Sequence, residues 1–279
     1  MILTPVSDAG LSAAADRLPM AGRVLVELSR LLNNPLAATN EVIAIVRQDP
    51  TLVAQIIRIS NSAAYAPAEP VGSLERAIGF VGFAEVHRLV GVVAVRQLTA
   101  QRFSLYPLGA EMLRVQTLFV AVLMEEMARW AAERPHTCYT IGMLRTIGML
   151  VLERIPPAVP ATAFLKSGET HLDDWERNLW GISNPEVAER VLAHWKMPAE
   201  TVSAIRHHYR PLGRHNPKTH LLALACGAAA DRFYGIPGEE KYWLPCPENF
   251  EKAGFDPEDF PVICEKAKRN FQRLNLVVG

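Results

Sequence analysis

Cys138-Tyr139-Thr140-Ile141-Gly142-Met143-Leu144-Arg145-Thr146-Ile147-Gly148-Met149-Leu150-Val151-Leu152 is the stretch from which the fold is read, with Pro135 ahead of it and Pro156-Pro157 behind. As a single helix it places Ile141, Leu144, Gly148, Val151 and Ile155 on one face and Met143, Ile147 and Leu150 on the next. No face is left that prefers water, so other helices must surround it. Between Glu133-Arg134 and Glu153 the only charged side chain is Arg145, which cannot be buried without a partner. Two roles are open to it: a structural ion pair, or one wall of a polar pocket. Thr140 to Leu144 recurs as Thr146 to Leu150, but a shift of six residues does not match the helical period, and no repeat architecture follows.

The segments on either side obey the same rule. Upstream, Leu108 to Ala132 reads as a long helix, preceded by a less regular stretch from Gln101 to Gly109. Before that, Ser73 caps a helical run reaching about Leu98, in which Gly79 and Gly82 mark a close approach or a break. Asp49-Pro50 starts another helix, an aspartate able to cap free amides followed by a proline whose φ suits the first helical position. Its apolar stripe of Leu52, Val53, Ile56, Ile57 and Ile59 ends at Asn61-Ser62, which can bond backbone groups and close it. Leu18-Pro19 opens a helix that Asn33-Asn34-Pro35 stops, a brief one begins near Asn40, and residues 1–18 read as a short lead-in. Downstream come a connection through Pro156, Pro157 and Pro160, a helix from Leu172 to Trp180 ended by Gly181, and a capping box, Ser183-x-x-Glu186, for the next. Met197-Pro198 begins a helix running to His207-His208-Tyr209, and Pro217 opens one through Ala230. Gly235 to Gly254 reads as an irregular wrap before a last helix from about Pro261 to Leu276. No period-two run with turn signals appears. The expected fold is all-α, a compact multi-helix bundle in three parts: a helical half over residues 11–100, a second over 108–235 and an irregular C-terminal extension over 236–279.

Composition bounds the function. Lysine plus arginine and aspartate plus glutamate number 29 each, so no net field draws in nucleic acid or an anionic membrane, and neither partner is expected. Cys138, Cys226, Cys246 and Cys264 include no Cys-x-x-Cys pair, which argues against a zinc site or a disulfide framework. The N-terminus lacks the basic patch and apolar core of a signal peptide, and no uncharged run is long enough to span a bilayer; a cytoplasmic location is expected.

Taken together, Leu18-Pro19, Asp49-Pro50-x-Leu52, Ser60-Asn61-Ser62-Ala63-x-Tyr65 and Ser73-Leu74-x-x-Ala77-Ile78-x-x-Val81-Gly82 resemble the HDOD domain. The resemblance runs from about residue 11 to about 235: Gly142 to Leu150 is similar to the family's Gly-Leu-Leu-His-Asp-Ile-Gly-Lys-Leu pattern, and the likeness continues through Glu176, Gly181, Trp195-x-x-Pro198 and His207-His208. It implies a helical bundle of the HD superfamily, found in bacterial signalling proteins as a regulatory, non-enzymatic module. Active members of that superfamily, including the HD-GYP phosphodiesterases, hold metals with histidine and aspartate, whose nitrogen and oxygen atoms bind a divalent ion and acidify its water.

By that resemblance, Gln116 stands at the first histidine position, Arg145-Thr146 at the His-Asp dyad, Asn184 at the next histidine, and Cys226 loosely at a final aspartate, while His207 and His208 survive. Adjacent helical histidines point about 100° apart and cannot by themselves chelate one ion. A guanidinium at the dyad position repels a dication, so neither a catalytic metal nor any other cofactor is expected. Glu176, which the pattern carries ahead of its glycine turn, is the candidate counter-ion of Arg145. No Gly-x-Ser-x-Gly elbow or phosphate-cradling glycine loop is present. The leading expectation is a module that binds other signalling proteins. The alternatives are a sensor of a small anion or nucleotide in the altered pocket, formed by Gln116, Arg145, Asn184 and the two histidines, and a metal-dependent phosphohydrolase.

Overall fold

Several helices begin and end on local capping chemistry. In the computed structural model, which describes residues 6–34, 36–100, 103–158, 170–233, 235–243 and 246–278, no strand occurs among the described residues. Pro35, Gln101 and Pro160 lie outside them. Helix α1 covers Asp8–Asp16, α2 Met20–Leu32, α3 Thr39–Val46 and α4 Pro50–Ser60. The lead-in is therefore largely helical: the Ser7 hydroxyl accepts from the Gly10 N–H and starts α1. Asp49 caps α4 through the N–H groups of Thr51 and Leu52, at 2.9 and 3.1 Å, with Pro50 at the first position. Asn61 closes α4, its side-chain amide donating to the carbonyls of Ile57 and Val71 while its oxygen accepts from the Val71 N–H. Ser62 contributes backbone groups alone, its N–H donating to the Ile59 carbonyl and its carbonyl accepting from Tyr65 and Ala66; its buried hydroxyl has no partner.

Helices α5, Leu74–Val81, and α6, Phe83–Thr99, are two elements bent through 116° at Gly82, whose φ of +82° a side chain would resist. No single helix among the described residues is long and apolar enough to cross a membrane. The long helix α7, Ala110–Trp130, lies at the centre. The deciding stretch is not one helix. It is α8, Pro135–Leu144, and α9, Ile147–Leu152, with Arg145 and Thr146 at the turn between them. The two glycines of the duplicated pentapeptide give the reason. A Cβ on Gly142 would sit 2.5 Å from the Cα of Ala121 in α7, whereas one on Gly148 would sit 1.9 Å from the carbonyl oxygen of Asn184. Each glycine is pressed against a different neighbour, and the turn re-aims the second half of the run.

Helix α10 spans Leu172–Trp180, stopped by Gly181 at φ +72°; α11 spans Asn184–His194, α12 Ala199–His207 and α13 Pro217–Phe233. Glu186 accepts from both the N–H and the hydroxyl of Ser183 at the head of α11. The C-terminal part is more helical than expected. Pro247 and Gly254 bound helix α14, Pro247–Ala253, as a first-position proline and a left-handed stop, and α15 spans Phe260–Val278.

Helix α7 packs against α6, α8, α13 and α15; α2 lies on α6 and α8, and α11 on α9 and α12. Buried apolar side chains from Leu11 to Leu274 form one continuous core. Buried carboxylates tie the helices across it. Glu125 accepts from Arg88 and Arg129, and Glu126 pairs with Arg129 and with Lys266 of α15, whose Asn270 also donates to it.

Candidate functional site

The α8–α9 turn drives Arg145 into the interior, where its side chain and that of Glu239 are each only 1 % exposed. The pair is bidentate, NH1 to Oε1 at 2.9 Å and NH2 to Oε2 at 3.3 Å, and NH2 also donates to Oε1 of Gln116 at 3.3 Å. Glu239 lies in the segment 235–243 after α13, which buries Ile236 beside it and stacks Tyr242 on Tyr209 with ring centroids 4.2 Å apart. The counter-ion of Arg145 is therefore Glu239, not Glu176. The physical reason is reach: Glu176 is held in α10 by other donors, while the 235–243 segment folds its carboxylate into the centre.

Those donors make one continuous polar chain. Tyr209 donates its hydroxyl to Glu239 at 2.7 Å and accepts from the Asn184 side-chain amide at 3.1 Å. Asn184 also donates to Glu176, from its amide at 2.9 and 3.0 Å and its backbone N–H at 2.6 Å, and Tyr106 adds its hydroxyl at 2.6 Å. The expected site residues Gln116, Arg145, Asn184 and Glu176 are thus brought together, through two tyrosines and a glutamate that the sequence reading did not single out. Thr146 is buried at the head of α9, and Cys226 is buried near Arg145 and Glu239. Burial pushes the Cys226 thiol up to about 12, against the pull of Arg145.

His207 and His208 do not act together. His207 is half-buried and its Nδ1 donates to the Ser203 carbonyl at 3.0 Å, while the Nδ1 of buried His208 donates to the Ile205 carbonyl at 2.7 Å. Burial, then the charge of Arg145, pushes His208 down to about 3. It is a neutral ring whose Nε2 has no partner. Asp49, Pro50, Asn61 and Ser62 lie at the two ends of α4 and take no part in this chain of bonds.

Burial pushes the Glu176 carboxyl up to about 8, although the bonds from Tyr106 and Asn184 pull it down. Glu239 is the bonded counter-ion of Arg145, whereas no cation is bonded to Glu176 among the described residues, so burial favours its neutral form.

The donor set does not fit a divalent metal. Amides stand at Gln116 and Asn184, a guanidinium occupies the centre, and the one carboxylate beside it is spent on that guanidinium. Among the described residues no three of histidine, cysteine, aspartate and glutamate converge as a metal site would require.

Glu239 escaped the sequence reading because it lies beyond the resembling stretch, among turn residues with an acidic neighbour, and nothing in its spacing separates it from Glu240. The available signal was the unpaired cation at Arg145, which demanded a carboxylate without saying which. Outside this chain of bonds, a cavity of about 310 Å³ borders Tyr209, Arg210, Lys241 and Tyr242. A larger one of about 440 Å³ lies between α13, α14 and α15.

A family model described as HDOD domain matches residues 18–211. A solved structure from Shewanella amazonensis SB2B, provisionally described as a phosphohydrolase, is 26% identical, with a TM-score of 0.67 over 97% of this chain and 98% of that one. Another, from Marinobacter aquaeolei VT8 and provisionally described as a signal transduction protein, is 21% identical, with a TM-score of 0.66 over 100% of this chain and 67% of that one. An uncharacterized protein of Treponema pallidum (strain Nichols) is 21% identical over 250 residues, 84% of this chain; the chain spans 45% of that relative's length.

Proposed function

Because the chain belongs to the HDOD domain family, with well over half of its length matched, we propose that it is a non-catalytic regulatory module that acts in signal transduction by binding other signalling proteins through its helical surface. The observation that carries this reading is the Arg145–Glu239 pair. By the motif resemblance it stands where the wider superfamily would hold a metal, and Gln116, Thr146 and Asn184 offer no histidine or aspartate there. The likeness to a protein provisionally described as acting in signal transduction agrees with it in fold.

The competing reading is a metal-dependent phosphohydrolase, which the description of the Shewanella amazonensis structure brings forward. Elemental analysis of the purified protein, with a phosphodiesterase assay in added manganese or iron, separates the two. The regulatory reading expects no stoichiometric metal and no turnover. About one equivalent of metal, lost on replacing His207 or His208, would overturn it. The expected partner is then sought by pull-down from native extract.

A further inference from the structure

Glu239 occupies the centre of the molecule as a bound ligand would. Its carboxylate receives two guanidinium bonds from Arg145 and a phenol bond from Tyr209, at 2.9, 3.3 and 2.7 Å. The surrounding donors are not used up by it. Arg145 Nε and Gln116 Nε2 are buried and have no partner, although both side chains are more than nine-tenths buried and their other atoms engage one another. A carboxylate has two oxygens; a tetrahedral oxyanion has more and could accept from these donors as well. His208, with its unprotonated Nε2 also unpartnered, stands near enough to feel the Arg145 charge and could accept from an acidic phosphate O–H.

A cavity also lies beside the site. Of about 310 Å³, it is lined by Tyr209, whose hydroxyl holds Glu239, and by His171, Lys241 and Arg210, the last ion-paired with Asp173 at 2.6 Å. Its other wall, Lys241 and Tyr242, belongs to the same short segment that carries Glu239.

We infer that Arg145, Gln116 and Tyr209 form an oxyanion site in which the chain's own Glu239 serves as a stand-in ligand, and that a phosphate-class oxyanion competes for it and releases segment 235–243. This goes beyond the protein-binding reading and does not depend on it: the anion supplies an input, whatever the helical surface binds.

Hydrogen exchange of the full chain, read on peptides covering 235–243, tests this with inorganic phosphate against chloride at equal ionic strength. Faster exchange of that segment in phosphate, abolished when Arg145→Met is combined with Glu239→Leu so that no buried carboxylate is stranded, is the expected result. Unchanged exchange in the unaltered chain, or acceleration that survives in the double variant, overturns the proposal. Glu239→Gln keeps the shape and removes the competing charge; it should bind phosphate at least about tenfold more tightly by calorimetry. If that variant does not fold, the exchange measurement on the unaltered chain still decides. Adenosine monophosphate in place of inorganic phosphate distinguishes a phosphate group carried on a larger molecule, which also accelerates exchange, from the free ion, which alone does so; either outcome supports the site.

Discussion

Arg145 and Glu239 are the residues whose removal has the sharpest expected consequence. Deleting either partner strands a buried charge and should cost about 3–5 kcal/mol, whereas Arg145→Met with Glu239→Leu should recover much of the loss. A double-mutant cycle by denaturant unfolding measures that coupling; the same cycle on Arg145 and Glu176, which share no bond, should return far less. Glu176 carries a pH signature. Its folded value of about 8 stands above the unbound 4.5, so its contribution to stability is complete below about 4.5 and is lost as pH rises toward about 8. The stability of the unaltered protein relative to Glu176→Gln should therefore fall across that window and level off above it, which melting at a series of pH values would show. Asp49→Ala should cost about 1 kcal/mol, as the two cap bonds to Thr51 and Leu52 disappear. At this scale the sequence exposed the need for a counter-ion and the helix cap, because both follow from one residue's chemistry. It did not expose Glu239, because that choice depends on where a turn-rich segment lands.

The helices themselves were largely legible. Asp49-Pro50, Ser73, Ser183-x-x-Glu186 and Gly181 act as the start and stop signals they resemble. The break at Arg145-Thr146 was not, since the apolar pattern runs through it and only tertiary contact requires it. The duplicated pentapeptide turns out to be two contact points. Gly148→Ala should cost roughly 3 kcal/mol or more, because the added methyl meets the Asn184 backbone, which has no room to yield. Gly79→Ala, on an exposed turn of α5 with nothing within 4 Å, should instead stabilise by about 0.5–1 kcal/mol. Thermal and denaturant unfolding of the two variants side by side should show stability changes of opposite sign.

For the molecule as a whole, the family match ends at residue 211, but the fold does not. Helix α15 lies along α7, with Phe271 edge-on to Phe119 at 5.7 Å, and segment 235–243 supplies the only carboxylate bonded to Arg145 among the described residues. A chain cut after residue 235 should lose its cooperative unfolding transition and bind the dye ANS, as a collapsed bundle with an unpaired central charge would. Arg145 and Glu239 lie 94 residues apart in sequence. At a synthesis rate of 5–20 residues per second, about 5–20 s separate the appearance of the cation from that of the anion that settles it. Through that interval Arg145 has no Glu239 to meet, so the centre cannot close dry around it before segment 235–243 has been made.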